Sequence, residues 1–195
     1  RIQQAEKIDE TVVAAADTPS QSSFIEFAKR RGLPFVIGSE EDVLQRLIDA
    51  ADSVGADIVI RAMTENPFIY WQGLDDMIST HMEENADLTV MEKLPSGTFV
   101  DVHSVDGLKR SHREGNNRHR SEFTSRYIIE NHTEFTVTTV SPPEQIQRPD
   151  IRLTVDNPED LILVREIHDR LSQDQTRPAS LEEIVQIIES DPSLM

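Results

Sequence analysis

The 195-residue chain contains no cysteine, which excludes disulfides and thiol chemistry and fits a cytoplasmic protein. No apolar run approaches the roughly 18–20 residues that a membrane-spanning helix needs. The polar opening RIQQAEKIDE carries no signal-peptide pattern. Glycine is scarce, at seven residues. No glycine-rich phosphate loop, Walker motif or G-x-G-x-x-G fingerprint is present, and no G-x-S-x-G nucleophile elbow. Six histidines are scattered without the spacing of a zinc site. Lysine is limited to Lys7, Lys29, Lys93 and Lys109 among 19 basic residues, the rest being arginine. The net charge of −17 excludes broad nucleic-acid binding, because phosphate contacts need a basic footprint.

What is present suits one packed domain. Hydrophobic residues make up 37% and charged residues 28% of the chain, which places it with globular rather than disordered proteins. Short apolar runs alternate with helical patterns, so an α/β fold with a mainly parallel sheet is expected. Strands are expected at 10–16, 34–37, 57–61, 87–91, 99–103, 135–140 and 151–155. Helices are expected at 20–31, stopped by Gly32 and Pro34, and after a capping box of Ser39 and Asp42. Further helices are expected over 71–84, to about Ser111, and over 119–131. Another starts at Asn157 with Pro158 in its first turn, with Leu161, Val164, Ile167, His168 and Leu171 on its core face. The last is capped by Ser180 and Glu183.

Ligands in open α/β sheets bind beyond the carboxyl ends of the strands. Two acids fall there. Glu65 follows DIVIRAMT, and Asp156 follows IRLTV. Two converging carboxylates can hold a hard cation such as Mg²⁺. The alternative is that Asp156 favours a helix N-terminus electrostatically and Glu65 is a loop residue. A second feature is a basic island, KRSHREGNNRHR from Lys109 to Arg120, in an otherwise acidic chain. It is read either as a solvated loop paired with acids, or as an electropositive mouth for an anionic substrate. Screening acts over roughly 8 Å, so a local field can dominate distant charge. Arginine suits bidentate capture of carboxylate or phosphate.

Four blocks then resemble a family. They are FVIGSEEDVLQRLIDAA from Phe35, IVIRAMTENPFIY from Ile58, LPSGTFVDVHSVDGLKR from Leu94 and DIRLTVDNPEDLILVREI from Asp150. Together they resemble the cytidylyltransferases that include CMP-acylneuraminate synthetase, CMP-Kdo synthetase and the spore coat polysaccharide biosynthesis protein F group. The resemblance implies a Rossmann-like nucleotide-diphospho-sugar transferase fold over 1–172, followed by a linker and C-terminal helix over 173–195. It also implies transfer of CMP from CTP to an anionic sugar or sugar acid, with Mg²⁺ as cofactor and pyrophosphate as product. By the same resemblance Asp156 and Glu65 are the metal acids, and Asp17, Gly38, Asp42 and Arg46 lie on the nucleotide side. Arg61 and Arg120 are expected to act in catalysis, and Asp101, Arg118 and Arg126 to face the acceptor.

The chain departs from the family pattern in several places. Glu65 stands where most members have aspartate, Glu122 where they have histidine, and Asp101 where they have glutamate. Ala16-Asp17 stands for Thr-Asp. The family's opening strand and G-S-x-R-L-P-G-K-like loop have no counterpart, so the chain is expected to be N-terminally truncated and inactive alone. A homodimer is a further expectation, with no membrane or nucleic-acid partner. A non-catalytic binding module, or a transferase using another nucleotide, remains as the alternative.

Overall fold

Local signals set most element boundaries in the computed structural model, which describes residues 1–171, 177–191 and 194. In order these are β1 (Val13–Ala16), α1 (Ser22–Arg31), β2 (Phe35–Gly38), α2 (Val43–Val54), β3 (Ile58–Arg61), α3 (Leu74–Glu83), β4 (Leu88–Met91), β5 (Asp101–Ser104), α4 (Val105–Glu114), α5 (Arg126–Glu130), β6 (Val137–Val140), α6 (Pro158–Arg170) and α7 (Leu181–Ser190). Gly32 ends α1 in the left-handed conformation, with φ 66°, where an L side chain would be strained. Asn157 and Asp160 form the capping box of α6, and Ser180 and Glu183 that of α7.

The strands lie in two sheets. β1 and β2 pair in parallel, from Val13 opposite Phe35 to Ala16 opposite Gly38. The larger sheet has the order β3-β5-β4-β6. Within it β3, β4 and β6 run one way and β5 alone opposes them. Helix α2 packs on β1, β2 and β3, so it bridges the two sheets. Among the described residues, β1 and β3 each keep one edge without a strand partner.

Successive strand residues point to opposite faces, and the two faces of β3 bury different neighbours. Ile60 joins the main core with Leu74, Met91, Val102, Leu153, Ile167 and the inner face of α7. Val59 joins a smaller cluster of Leu44, Ile48 and Leu108, which locks α2 to α4. Full burial of one such aliphatic side chain contributes about 1.5–3 kcal/mol. Helix α7 supplies Leu181, Ile184, Val185 and Ile188 to the main core, so the C-terminal helix is packed as part of the same body. Of the linker expected before it, residues 173–176 lie outside the described residues.

Four local expectations are corrected. Residues 151–155 form no sheet strand; only Arg152 makes a bridge, to Ser96. Their N–H groups go to loops instead: Leu153 donates to Ser96 O at 2.7 Å and Val155 to Glu65 O at 2.8 Å. Gly97, with φ 84°, makes this approach possible, because a Cβ there would lie 2.4 Å from Thr154 N. The helix expected over 119–131 is reduced to a single turn at 117–119 and α5. In the RSEFTS stretch the Ser121 hydroxyl donates to Arg118 O, an alternative to helical bonding. The cap of α2 is Asp42, not Ser39. In α6, Leu161 and His168 are exposed, while Leu163, Val164 and Ile167 face the core. Val164, Ile167 and Leu171 keep the expected core face, and Leu163 takes the place of Leu161 and His168 on it.

Candidate active site

The site begins at the carboxyl ends of β1 and β2, where Asp17 N–H donates to Gly38 O at 2.8 Å. Gly38 has no side chain for a steric reason. A Cβ there would sit 2.8 Å from Arg46 Cγ, so the glycine lets Arg46 fold back over the strand end from the first turn of α2. The Arg46 guanidinium donates through Nη1 to Ser39 O at 2.9 Å, while its buried Nε has no hydrogen-bond partner. Burial lowers its pKa below the ordinary arginine value, partly offset by Glu40 and Asp42.

Asp42 uses both carboxylate oxygens. Oδ1 accepts from Gln45 N at 2.9 Å as the helix cap. Oδ2 lies 2.8 Å from His112 Nε2 on α4. Next to it, Leu44 N donates to Arg120 O at 3.2 Å, and Arg120 Nη2 donates to His112 O at 3.1 Å. The buried Nε of Arg120 is without a partner. Asp42 therefore serves as a structural tie between helices, whatever else it does, and His112 is a site-building residue that the sequence did not single out.

A second group gathers at the end of β3. Arg61 lies opposite Asp101 in the β3–β5 register. Burial pushes the Arg61 pKa down, against the opposing fields of Asp101, Glu65 and Glu122, and the neighbouring Arg46 cation lowers it further. Two residues on from Asp101, His103 is fully buried, and neither ring nitrogen has a hydrogen-bond partner among the described residues. Burial pushes its pKa down to about 4, although Asp101 lies 3.9 Å away. His103 joins the constellation unannounced by any motif, and Glu122, which the sequence marks only as a departure from the family pattern, acts on Arg61 there.

The two acids expected to bind metal are brought side by side in the backbone, because Val155 N–H bonds Glu65 O directly before Asp156. Their side chains are differently engaged. Glu65 accepts from the Thr64 hydroxyl at 3.3 Å. Asp156 accepts from Arg152 at 2.5 Å, and Arg152 also reaches Asp160 at 3.1 Å. Arg152, with the backbone N–H groups of Asp156 and Asn157, holds the Asp160 carboxyl well below the usual carboxylate range. Among the described residues no group of three or more histidine and carboxylate side chains converges to hold a metal ion.

The basic island divides. Lys109 pairs with Asp52 at 2.7 Å. Arg110 pairs with Glu134 and Glu114 at 2.8 and 3.2 Å and lies over the Phe135 ring. Arg118 and His119 share Glu130, and Arg113 touches Glu114 at 3.4 Å. These residues pair with acids as the solvated reading expects, although Lys109, Arg110 and Arg113 lie on α4 rather than in a loop. Arg118 is turned to Glu130 rather than gathered with Arg61, and Arg126 stacks on Phe123 at 5.1 Å. Arg120 meets the first turn of α2 through its backbone carbonyl, whereas Lys109 reaches α2 by its ion pair with Asp52 and His112 by its bond to Asp42.

The sequence profile of the cytidylyltransferase family matches residues 1–189. The chain is similar to the spore coat polysaccharide biosynthesis protein SpsF of Bacillus subtilis, at 24% identity over 194 residues, covering 94% of this chain and 76% of that protein. Among solved structures it resembles a cytidylyltransferase from Leptospira borgpetersenii, with a TM-score of 0.87 and 22% identity, covering all of this chain and 82% of the other. It also resembles CMP:2-keto-3-deoxy-manno-octonic acid synthetase complexed with CTP, with a TM-score of 0.63 and 13% identity over 87% of this chain and 84% of that one. These likenesses give the fold, which is of the Rossmann-like nucleotide-diphospho-sugar transferase kind. With four motif blocks, a whole-chain profile match and that fold in agreement, the chain belongs to the cytidylyltransferase family.

Proposed function

We propose that the protein transfers CMP from CTP to a hydroxyl of an anionic sugar or nonulosonic acid, releasing pyrophosphate, for cell-surface glycan biosynthesis. One observation carries this reading. In a chain of net charge −17, Arg46, Arg61 and Arg120 sit around the strand ends with no ion pair within 4 Å to a described carboxylate. Cations left unpaired in an acidic protein suit an anionic ligand, and guanidinium groups suit phosphate and carboxylate in particular. The name of SpsF supports a role in polysaccharide synthesis, and the CTP complex of the second solved structure supports a nucleotide substrate.

The acceptor oxygen would form a bond to the α-phosphorus, the bond to the β-phosphate oxygen would break, and the hydroxyl proton would leave. Such transfer depends mostly on positioning and on stabilising charge. Arg61, desolvated and close to Arg46, is suited to the charge that develops on phosphate oxygens. Arg120 is suited to hold the acceptor's anionic group. Mg²⁺ is the proposed cofactor, with Glu65 and Asp156 to hold it. Two hard carboxylates on backbone segments joined by the Val155 N–H to Glu65 O bond suit an ion that takes one or two protein carboxylates. Bound Mg²⁺ would neutralise phosphate oxygens. Asp156, which is paired with Arg152 here, and Glu65, one methylene longer than the usual aspartate, are the residues that would hold it.

The test is pyrophosphate release by the full-length protein with CTP, UTP or ATP and a panel of nonulosonic acids and sugar phosphates. Release with CTP that requires Mg²⁺ and falls at least about 100-fold in Asp156→Asn is expected. No release with any pair would sink the reading, and release with UTP or ATP alone would reassign the nucleotide.

A further inference from the structure

We infer that His112 is a positioning residue that fixes Arg120 against the first turn of α2, an inference that rests on the proposed function for its catalytic consequence. Three hydrogen bonds close a ring through this one residue. Its side chain reaches the Asp42 cap at 2.8 Å. Its carbonyl accepts from Arg120 Nη2 at 3.1 Å. The Arg120 carbonyl in turn accepts from Leu44 N at 3.2 Å, the amide that follows the first helical residue. Side chain and main chain of His112 thus grip both ends of the same short path.

The need for such a grip is physical. Arg120 lies in a segment without regular structure between a single turn at 117–119 and α5, so no helix or strand fixes it. Its neighbours Arg118 and His119 are drawn away to Glu130. Among the described residues Arg120 makes no ion pair with a carboxylate within 4 Å, and its buried Nε has no hydrogen-bond partner. An arginine held by carbonyl oxygens rather than by a carboxylate keeps its charge available. Leu108, one turn before His112, already packs α4 on Leu44 and Ile48, so the helix pair survives loss of the imidazole, and what is lost is the direct tie between the α2 cap and the residue whose carbonyl holds Arg120. The cap bond from Gln45 N–H to Asp42 Oδ1 does not involve the imidazole, so α2 keeps its cap on the nucleotide side.

Two readouts test this. In His112→Ala the Leu44 amide should exchange about tenfold faster with solvent, and His112→Gln, which still reaches Asp42, should restore it to within about threefold. In the same variants the KM for the acceptor should rise about fivefold with alanine and recover with glutamine, while kcat and the KM for CTP stay within about twofold. Should the alanine variant not fold, His112→Asn, polar but too short to reach Asp42, takes its place. Unchanged Leu44 exchange overturns the inference. So does faster exchange with an unchanged acceptor KM, or an equal loss in all kinetic constants, since each reduces His112 to a purely structural role. An inactive wild type overturns the proposed function and this role with it, whereas an active wild type with a silent His112→Ala overturns this role alone.

Discussion

Arg118 and Arg120 stand two residues apart in one basic run, yet their charges meet different ends. Arg118 faces outward and is consumed by Glu130, which it shares with His119. Arg120 turns inward to a carbonyl of α4 and lends its own carbonyl to α2. The same contrast separates Lys109 and Arg110, both paired with acids on the surface, from Arg46 and Arg61, which lie half-buried at the strand ends without ion pairs among the described residues. Positive charge on the outside of this protein compensates its many acids. Positive charge in the crevice is held by carbonyl oxygens and burial, and stays free for a ligand. Local charge counts over a sequence window cannot separate the two, because the partner acids Asp52, Glu130 and Glu134 come from other elements.

The largest way to break this contrast is Arg120→Ala. If the inner arginines serve the substrate, its kcat/KM should fall by about 10²-fold, the scale of a lost charged contact, chiefly through the KM for the anionic acceptor. Saturation behaviour equal to wild type would place Arg120 with the outer group.

A change of pH probes the floor of the crevice. His103 has a folded pKa of about 4 against an ordinary value near 6.5, so the unfolded chain binds its proton first as pH falls. Its contribution to stability is complete above about pH 6.5, declines as the pH drops towards 4, and then levels off. The loss across that window is on the order of 3 kcal/mol. Comparing denaturant midpoints of wild type and His103→Leu between pH 4 and 7 checks it. The variant should show a shallower slope, and parallel slopes would refute the assignment.

The smallest effect is expected outside. Arg118→Ala removes an exposed pair, which is weak in water. Its melting temperature should stay within about 2 °C of wild type and its acceptor KM within about twofold. A loss comparable to that of Arg120→Ala would erase the distinction between the two groups.

Some of the site was legible in the chain itself. The glycine of GSEEDVLQR, the arginine of IVIRAMTENP and the acids after two apolar runs mark residues that do end near one another, because strand ends and helix starts carry local signatures in turn residues and caps. Other parts had no such signature. His112 sits in a charged helical run that looks solvated, and only its contact with Asp42, 70 positions away, gives it a role. Residues 151–155 read as a strand because their alternation is that of a strand. They pair with two loops instead, and that pairing is what sets Asp156 beside Glu65.

The sequence alone determined the alternation of strands and helices, the caps of α6 and α7, the glycine stop of α1 and, through its motif blocks, the family. These rest on interactions within a few residues or on patterns that persist through divergence. The tertiary structure alone decided which arginines keep their charge free, that α2 bridges two sheets rather than lying on one, and that Asp42 is shared between a helix cap and an imidazole. Each of these depends on which distant group arrives within about 3 Å, and one-dimensional spacing carries no record of that.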